Sequence, residues 1–213
     1  MDEGKEYYAL VRKAFRILAP FYDIITKPFS KLRIKVVDFT DARDGSIILD
    51  VGTGTGGQAF AFAKKGYEVF GIDLSEDMIK VAYEKNRFDS AGFGVADATK
   101  LPLMDDLFDV SCVSFALHDM PLDIGEKVLK EMVRVTKLNG MMVIVDYALP
   151  RNRISRFFIY HIVRLYEYKY YSNFIKSDLK ASLRKSGVEV KDEVKVLLGA
   201  GRILKGVKLS NFR

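Results

Sequence analysis

"ILDVGTGTGGQAFAFA", residues 48–63, decides how the rest of the chain is read. An apolar run reaches Asp50, passes through Gly52, Gly54, Gly56 and Gly57, and continues into a stretch of Ala and Phe. This is a buried strand, a tight turn and a helix. Glycines directly after the first strand of a parallel sheet bring backbone N–H groups and a helix N-terminus to the carboxyl edge of the strands, where a ligand can sit. A bare strand–helix turn needs only one or two glycines, so four point to a bound molecule.

The pattern repeats downstream. "SIILDV" is followed by the helical "GGQAFAFAKKG", closed by Gly66. "YEVFGID" reads as a second strand, and "SEDMIKVAYEKN" as a helix that Ser75 can cap. "AGFGVAD" and "LFDVSCVSFA" are the third and fourth strands, "DIGEKVLKEMVRVTK" a helix and "GMMVIVDYAL" the fifth strand. Continuous apolar strands alternating with helices imply a parallel sheet covered on both faces. Upstream, residues 5–19 place Tyr8, Val11, Phe15 and Leu18 on one helical face, and a second periodic stretch runs from Phe29 to Phe39. After Pro150 come an aromatic-basic helix over about 153–170 and another over about 175–186. "VEVKDEVKVLLG" and "GRILKGVKLS" then read as an antiparallel pair. The expected organisation is one domain over 1–213: a helical cap (1–44), a ligand-binding core (45–150), and lid helices with a C-terminal strand pair (151–213).

Composition narrows the function. The single cysteine, Cys112, excludes an internal disulfide and fits a reducing, cytoplasmic setting; with only His118 and His161 beside it, no zinc spacing exists and no metal is expected. "MDEGKEYYALVRK" starts acidic and has no continuous apolar stretch, so it does not read as a signal peptide. The net charge of +6 is uneven: residues 1–150 carry 19 Lys/Arg against 23 Asp/Glu, and residues 151–213 carry 15 against 5.

Which ligand the loop takes follows from its neighbours. Gly52, Gly54 and Gly57 satisfy GxGxxG, and Gly52 and Gly57 have phosphate-loop spacing, but Gln58 stands where the phosphate-binding lysine must be. Asp73 ends the second strand, where a carboxylate can accept from both ribose hydroxyls. Asp97 ends the third, where it reads either as a partner for an adenine amine or as a turn carboxylate. Asp50 closes a strand that should be buried, and a buried carboxylate is costly unless paired. A cationic ligand removes that cost, whereas the pyrophosphate of a dinucleotide raises it. None of the eleven tyrosines has Lys four residues later, so a Tyr-x-x-x-Lys dehydrogenase pair is absent as well.

"LDVGTGTG", "GIDLSEDMI", "GVADATKLPLMDDLFDVSCVSFALHDM" and "GMMVIVDY" resemble, in order and spacing, the successive motifs of class I S-adenosylmethionine-dependent methyltransferases. The resemblance covers roughly residues 45–150. It implies an α/β, doubly wound, mostly parallel seven-stranded sheet with a reversed last strand. It also implies that Asp50 and the loop Gly52, Thr53, Gly54 and Gly56 hold the methionine moiety and that Asp73 binds the ribose. Leu74 and Met78 would pack on the adenine, Asp97 and Ala98 flank its amine, and Phe115 lie near the sulfonium. "FYDIITKPFSKLR" and "DLKASLRKSGVEVKDEV…GRILKGVK" are similar to the flanks of the ubiquinone/menaquinone C-methyltransferases, within the methyltransferase type 11 group, and the first also to some phospholipid N-methyltransferases. The acceptor implied is a small molecule, with a lipophilic quinol precursor or phospholipid in view, and the by-product is S-adenosylhomocysteine.

Among candidate catalytic groups, His118 follows the fourth strand at the ligand edge. It reads either as a general base or as a loop histidine with a structural hydrogen bond. Tyr22 reads either as a lid over the cofactor or as a buried aromatic joining two helices. Asp119 and Asp23 read as caps or surface groups. The Asn/Asp-Pro-Pro-Tyr/Phe signature of amino-group DNA enzymes is missing, which disfavours nucleic acid; the basic tail keeps an RNA methyltransferase as an alternative, beside a non-catalytic S-adenosylmethionine-binding partner subunit. The sequence does not specify the oligomeric state. In residues 151–171 a stripe of Ile154, Phe158, Ile162 and Leu165 lies among Arg151, Arg153, Arg156, Arg164 and Lys169. It reads either as a solvated basic helix or as a peripheral contact with an anionic membrane.

Overall fold

The computed structural model describes residues 3–150 and 169–209, with 152, 153, 156, 157, 160 and 161 between them. The cap comprises α1 (Glu3–Leu18), α2 (Tyr22–Thr26) and α3 (Ser30–Thr40), joined by two single 3-10 turns that begin near Pro20 and Pro28. Proline suits the first turn of a helix because its missing N–H would go unbonded there anyway. The core follows as β1 (Ile47–Val51), α4 (Gly57–Lys64), β2 (Glu68–Asp73), α5 (Glu76–Lys85), β3 (Ala91–Val95), β4 (Phe108–Ser114), α6 (Leu122–Val135) and β5 (Thr136–Tyr147). Two short helices, α7 (Tyr171–Lys176) and α8 (Leu179–Lys185), lead to β6 (Val188–Val196) and β7 (Gly201–Lys208).

The strands lie in the order β3-β2-β1-β4-β5-β7-β6. β1 through β5 pair in parallel, and β7 runs antiparallel to both β5 and β6. The sheet is thus seven-stranded and doubly wound, with the last strand reversed and inserted between β5 and β6. Strand order reverses beside β1, which opens the crevice at the carboxyl ends of β1 and β4. One face is buried under α1, α6, α7 and α8 through Val11, Met132, Phe174 and Leu183; the other under α3, α4 and α5 through Val36, Phe62 and Ile79.

Two boundaries differ from the sequence expectation. Helix α6 stops at Val135, where the Thr136 hydroxyl donates back to the Met132 carbonyl at 2.6 Å and lies 2.7 Å from the Ser111 hydroxyl. The expected 175–186 helix is broken at Ser177, because Asp178 accepts from the Ala181 N–H at 3.0 Å and starts a new helix. Most of the helix expected over 153–170, including Ile154, Phe158, Ile162 and Leu165, lies outside the described residues. No helix among the described residues is long and apolar enough to cross a membrane.

Candidate active site

The glycine loop is fastened to the strand ends on either side. The Thr53 N–H donates to the Ile72 carbonyl at 2.9 Å, and the Gly54 N–H donates to Asp73 Oδ2 at 2.8 Å. Gly52 and Gly54 have φ of 66° and 54°, and both are closely approached. A Cβ on Gly52 would stand 3.0 Å from Ala116 Cβ, and one on Gly54 would stand 3.3 Å from the Tyr22 ring. Any other residue would meet both the backbone strain and the neighbour. Gly56 is different: with φ of 83° it starts α4 against Phe60 and Phe93, and it lines neither of the spaces described below.

Asp50 is 1% exposed, and Thr53 Oγ1 donates to its Oδ2 at 2.6 Å. Burial pushes its carboxyl up to about 7, against the opposing pull of the Thr53 bond and the Arg33 guanidinium. Arg33 lies across Gly57, with Cζ 2.6 Å from where a Cβ would be. Asp73 also accepts from the Ser75 N–H at 2.9 Å, and burial raises its carboxyl despite both backbone bonds. Ser75 caps α5, as its sequence position suggested, by accepting from the Met78 N–H at 3.4 Å.

Two spaces meet at this loop. The first, a cleft of about 740 Å³ counted to its mouth, is lined by Asp73, Leu74, Met78, Asp97, Ala98 and Thr99 from the sheet edge, with Tyr7, Tyr8 and Phe15 of α1 opposite. Asp97 Oδ1 accepts from the Thr99 N–H at 2.9 Å and hydroxyl at 2.7 Å, so this carboxylate serves a turn as well as facing the cleft. The second space, about 2500 Å³ counted the same way, is largely apolar. Its walls include Leu10, Leu18, Ile25 and Phe29 of the cap and Val145 and Tyr147 of β5. Val11, Phe15, Tyr22, Gly52, Phe115 and Asp119 line both. Tyr22 therefore stands at the junction, its ring over Gly54 and edge-on to Phe15 with centroids 6.3 Å apart. Phe115 holds a left-handed φ of 51°, strain of order 1–3 kcal/mol that clusters at working sites, and its ring packs 5.2 Å from Phe29 and 5.3 Å from Tyr147.

His118 lies in the wall of the second space, in a 3-10 turn (Leu117–Asp119), and is almost fully buried. Its Nδ1 is 2.7 Å from Oδ1 of Asp146, a fully buried carboxylate at the end of β5 that also accepts from the His118 and Tyr147 N–H groups at 3.3 and 2.7 Å. Nε2 is 3.6 Å from Asp119 Oδ1, and the Tyr147 ring packs 4.6 Å away.

Several placements depart from the sequence reading. Asp119 is no mere surface group, since it lines both spaces beside His118. Asp23 is no cap: it accepts from the Thr55 hydroxyl at 2.7 Å and pairs with Lys85 at 2.5 Å, tying the cap to the glycine loop. Burial alone would raise the Asp23 carboxyl, but Lys85 and Thr55 outweigh it and hold it below the usual range. Arg33, Tyr147 and Asp146 were not singled out. Asp146 carried a signal, being an acid that closes an apolar strand in the same way as Asp50 and Asp73.

Residues 49–144 match the family model described as a methyltransferase domain. The demethylmenaquinone methyltransferase of Paenarthrobacter aurescens is 37% identical over 145 residues, 66% of this chain and 56% of that protein. The match therefore spans little more than half of that relative's length. The demethylmenaquinone methyltransferase of Lactobacillus johnsonii is 29% identical across 93% of this chain and 92% of its own. Among solved structures, the methyltransferase in the complex with the Haloferax volcanii Trm112 methyltransferase activator superposes with a TM-score of 0.77 over 95% of this chain and 99% of its own, at 18% identity. At that identity the likeness shows the fold.

Proposed function

We propose, on the premise that residues 49–144 form a methyltransferase domain of the class I S-adenosylmethionine-dependent family, that the chain transfers a methyl group to a small lipophilic acceptor. The observation that carries this reading is the shared wall: a polar, acid-edged cleft opens through Gly52, Tyr22 and Phe115 into a larger apolar cavity that contains a histidine.

The residues fit the cofactor. Asp50 is a buried carboxylate suited to an ammonium partner, and Gly52 and Gly54 leave a cradle that any Cβ would fill. Asp73 retains lone pairs for ribose hydroxyls beyond its two backbone bonds. Leu74, Met78 and Ala98 offer apolar contact to a base, with Asp97 at its edge. S-adenosylmethionine, when bound, supplies an activated methyl on a cationic sulfonium and leaves as S-adenosylhomocysteine.

The chain's own part is to align the acceptor, exclude water and take up a proton. Asp146 orients the His118 ring through Nδ1 at 2.7 Å, and we assign Nε2, which has Asp119 Oδ1 3.6 Å away, as the group that takes the proton from an O–H or an activated C–H. Tyr22 closes the junction between the two spaces. The apolar cavity suits an acceptor of the quinol kind, in keeping with the names of the relatives; a phospholipid amine is the competing acceptor, and it would not need His118. A binding-only partner subunit has no use for a buried base facing an apolar cavity, and this disfavours that alternative. The test is a methyl-transfer screen on quinols, phospholipids and small amines with mass-spectrometric detection, beside calorimetry with S-adenosylhomocysteine and NADH. Tight NADH binding, or cofactor binding without transfer to any acceptor, overturns the proposal.

A further inference from the structure

Among the described residues, six of the sixteen large apolar side chains left exposed fall between residues 10 and 25: Leu10, Ile17, Leu18, Phe21, Ile24 and Ile25. Ile17, Phe21 and Ile24 are 64%, 60% and 74% exposed. Single exposed apolar residues are ordinary, but this density on one helix–turn–helix is not. The same segment is basic. Residues 5–35 carry eight Lys/Arg against two Asp/Glu, a local excess hidden in the acidic balance of residues 1–150. Those two acids are already engaged, Glu6 with Lys169 at 2.6 Å and Asp23 with Lys85. Arg12, Lys13, Arg16, Lys27, Lys31 and Lys35 are all exposed.

We propose that the α1–α2 face of the cap docks on an anionic lipid bilayer surface and delivers the acceptor from it. Apolar side chains interleaved with exposed lysines and arginines are the pattern of helices that lie in a membrane interface, whereas lysine is depleted from protein–protein interface cores. Charge complementarity therefore selects an anionic lipid surface over a protein partner. A second observation is continuity: Leu10, Leu18 and Ile25 belong both to the exposed face and to the lining of the cavity that reaches His118. A lipophilic molecule in the outer part of a bilayer could enter along them without crossing open water.

The inference deepens the proposed function, but its experiment reads lipid binding with no turnover, so the two fail separately. The chain has no tryptophan, and Ile24→Trp gives a single fluorescent reporter at the most exposed position of the face. Phosphatidylcholine vesicles containing phosphatidylglycerol should shift its emission to the blue at low salt, and brominated lipids should quench it. Vesicles of phosphatidylcholine alone should do neither. In co-sedimentation, Phe21→Asp with Ile24→Asp should lower the bound fraction at least roughly tenfold, and Lys27→Glu with Lys31→Glu should weaken binding and flatten its salt dependence. Unchanged affinity for S-adenosylhomocysteine shows that each variant is folded, since none of these residues lines the cleft. A wild-type chain left in the supernatant with anionic vesicles overturns the proposal. So does a Phe21→Asp, Ile24→Asp variant that binds like the wild type, or a dimer in solution that this variant dissociates, which would make the face a contact between copies.

Discussion

The cleft and the cavity share six wall residues and are built in opposite ways. The sheet side of the cleft comes from consecutive strand ends: Gly52 and Gly54 after β1, Asp73 closing β2 with Leu74 after it, Asp97 and Ala98 after β3. Each lies within a few residues of its strand's end, so strand and binding group lie in one short motif. The cavity adds distant segments to the same motif: Asp50, Thr53 and Gly57 line it too, but the cap forms one side, His118 after β4 lies in the wall, and Tyr147 comes from β5. A ligand common to many proteins can be held by local motifs. An acceptor that distinguishes one protein from another is met by parts that only the finished fold brings together.

If the two spaces have separate tasks, substitutions should divide accordingly. The largest effect is expected at the base. His118→Ala should lower turnover of a hydroxyl or carbon acceptor by roughly 10²–10⁴-fold and leave S-adenosylhomocysteine affinity nearly unchanged. Asp146→Asn should approach the same loss, because the amide favours the wrong imidazole tautomer. With only two histidines in the chain, imidazole NMR on a His161→Gln background reads that tautomer directly, without turnover. Full activity in Asp146→Asn, or an unaltered tautomer, would remove Asp146 from the mechanism.

Asp73→Ala should do the reverse. Hydrogen bonds to a charged group contribute about 1.5–3 kcal/mol each, so losing one or two of them weakens cofactor binding by at least about tenfold. Calorimetry should see that loss with S-adenosylhomocysteine, and an unchanged affinity would break the assignment of the cleft.

A smaller effect is a pH dependence. In the free protein the Asp50 carboxyl is held near 7, and an ammonium partner needs it ionised. Cofactor affinity should therefore be greatest above this value and fall by up to roughly tenfold per pH unit below it. Asp50→Asn should bind more weakly and lose this slope. Stability of the free protein has its own sign: because folding raises this carboxyl from about 3.9, the group favours the folded state at low pH and loses that contribution as pH rises toward 7.

The smallest effect is where the cleft meets Tyr22 of the shared wall. Gly54→Ala places a methyl 3.3 Å from the Tyr22 ring at φ 54°, costing about 1–2 kcal/mol of stability by thermal melting. Pairing it with Tyr22→Ala should recover the contact part of the loss and leave the backbone part.

The legibility of the sequence follows the same division. The alternation of strands and helices, the antiparallel C-terminal pair and the Ser75 cap were readable because each rests on a local period or a capping side chain, whereas the reversed last strand came with the family resemblance. His118 was readable as a candidate by its place after β4. Asp146 carried the strand-closing signal of Asp50 and Asp73, but its pairing with His118 was not readable, because 28 residues separate them. Arg33 was hidden likewise: a helical cation shows nothing of the glycine it will cover 24 residues later. Asp23 misled for the opposite reason, since a short-range capping role is what sequence proximity suggests and its real partners are Thr55 and Lys85.

The position of β7 bears on how the protein is made. Asp146 sits opposite Arg202 in the β5–β7 ladder, so the strand that completes the edge beside the His118–Asp146 pair is the last of the seven to leave the ribosome. Until Gly201–Lys208 emerges, β5 presents an unpaired apolar edge to solvent, the kind of edge that invites mispairing. Synthesis therefore completes the strand ends that line the cleft before it completes the edge beside His118 and Asp146.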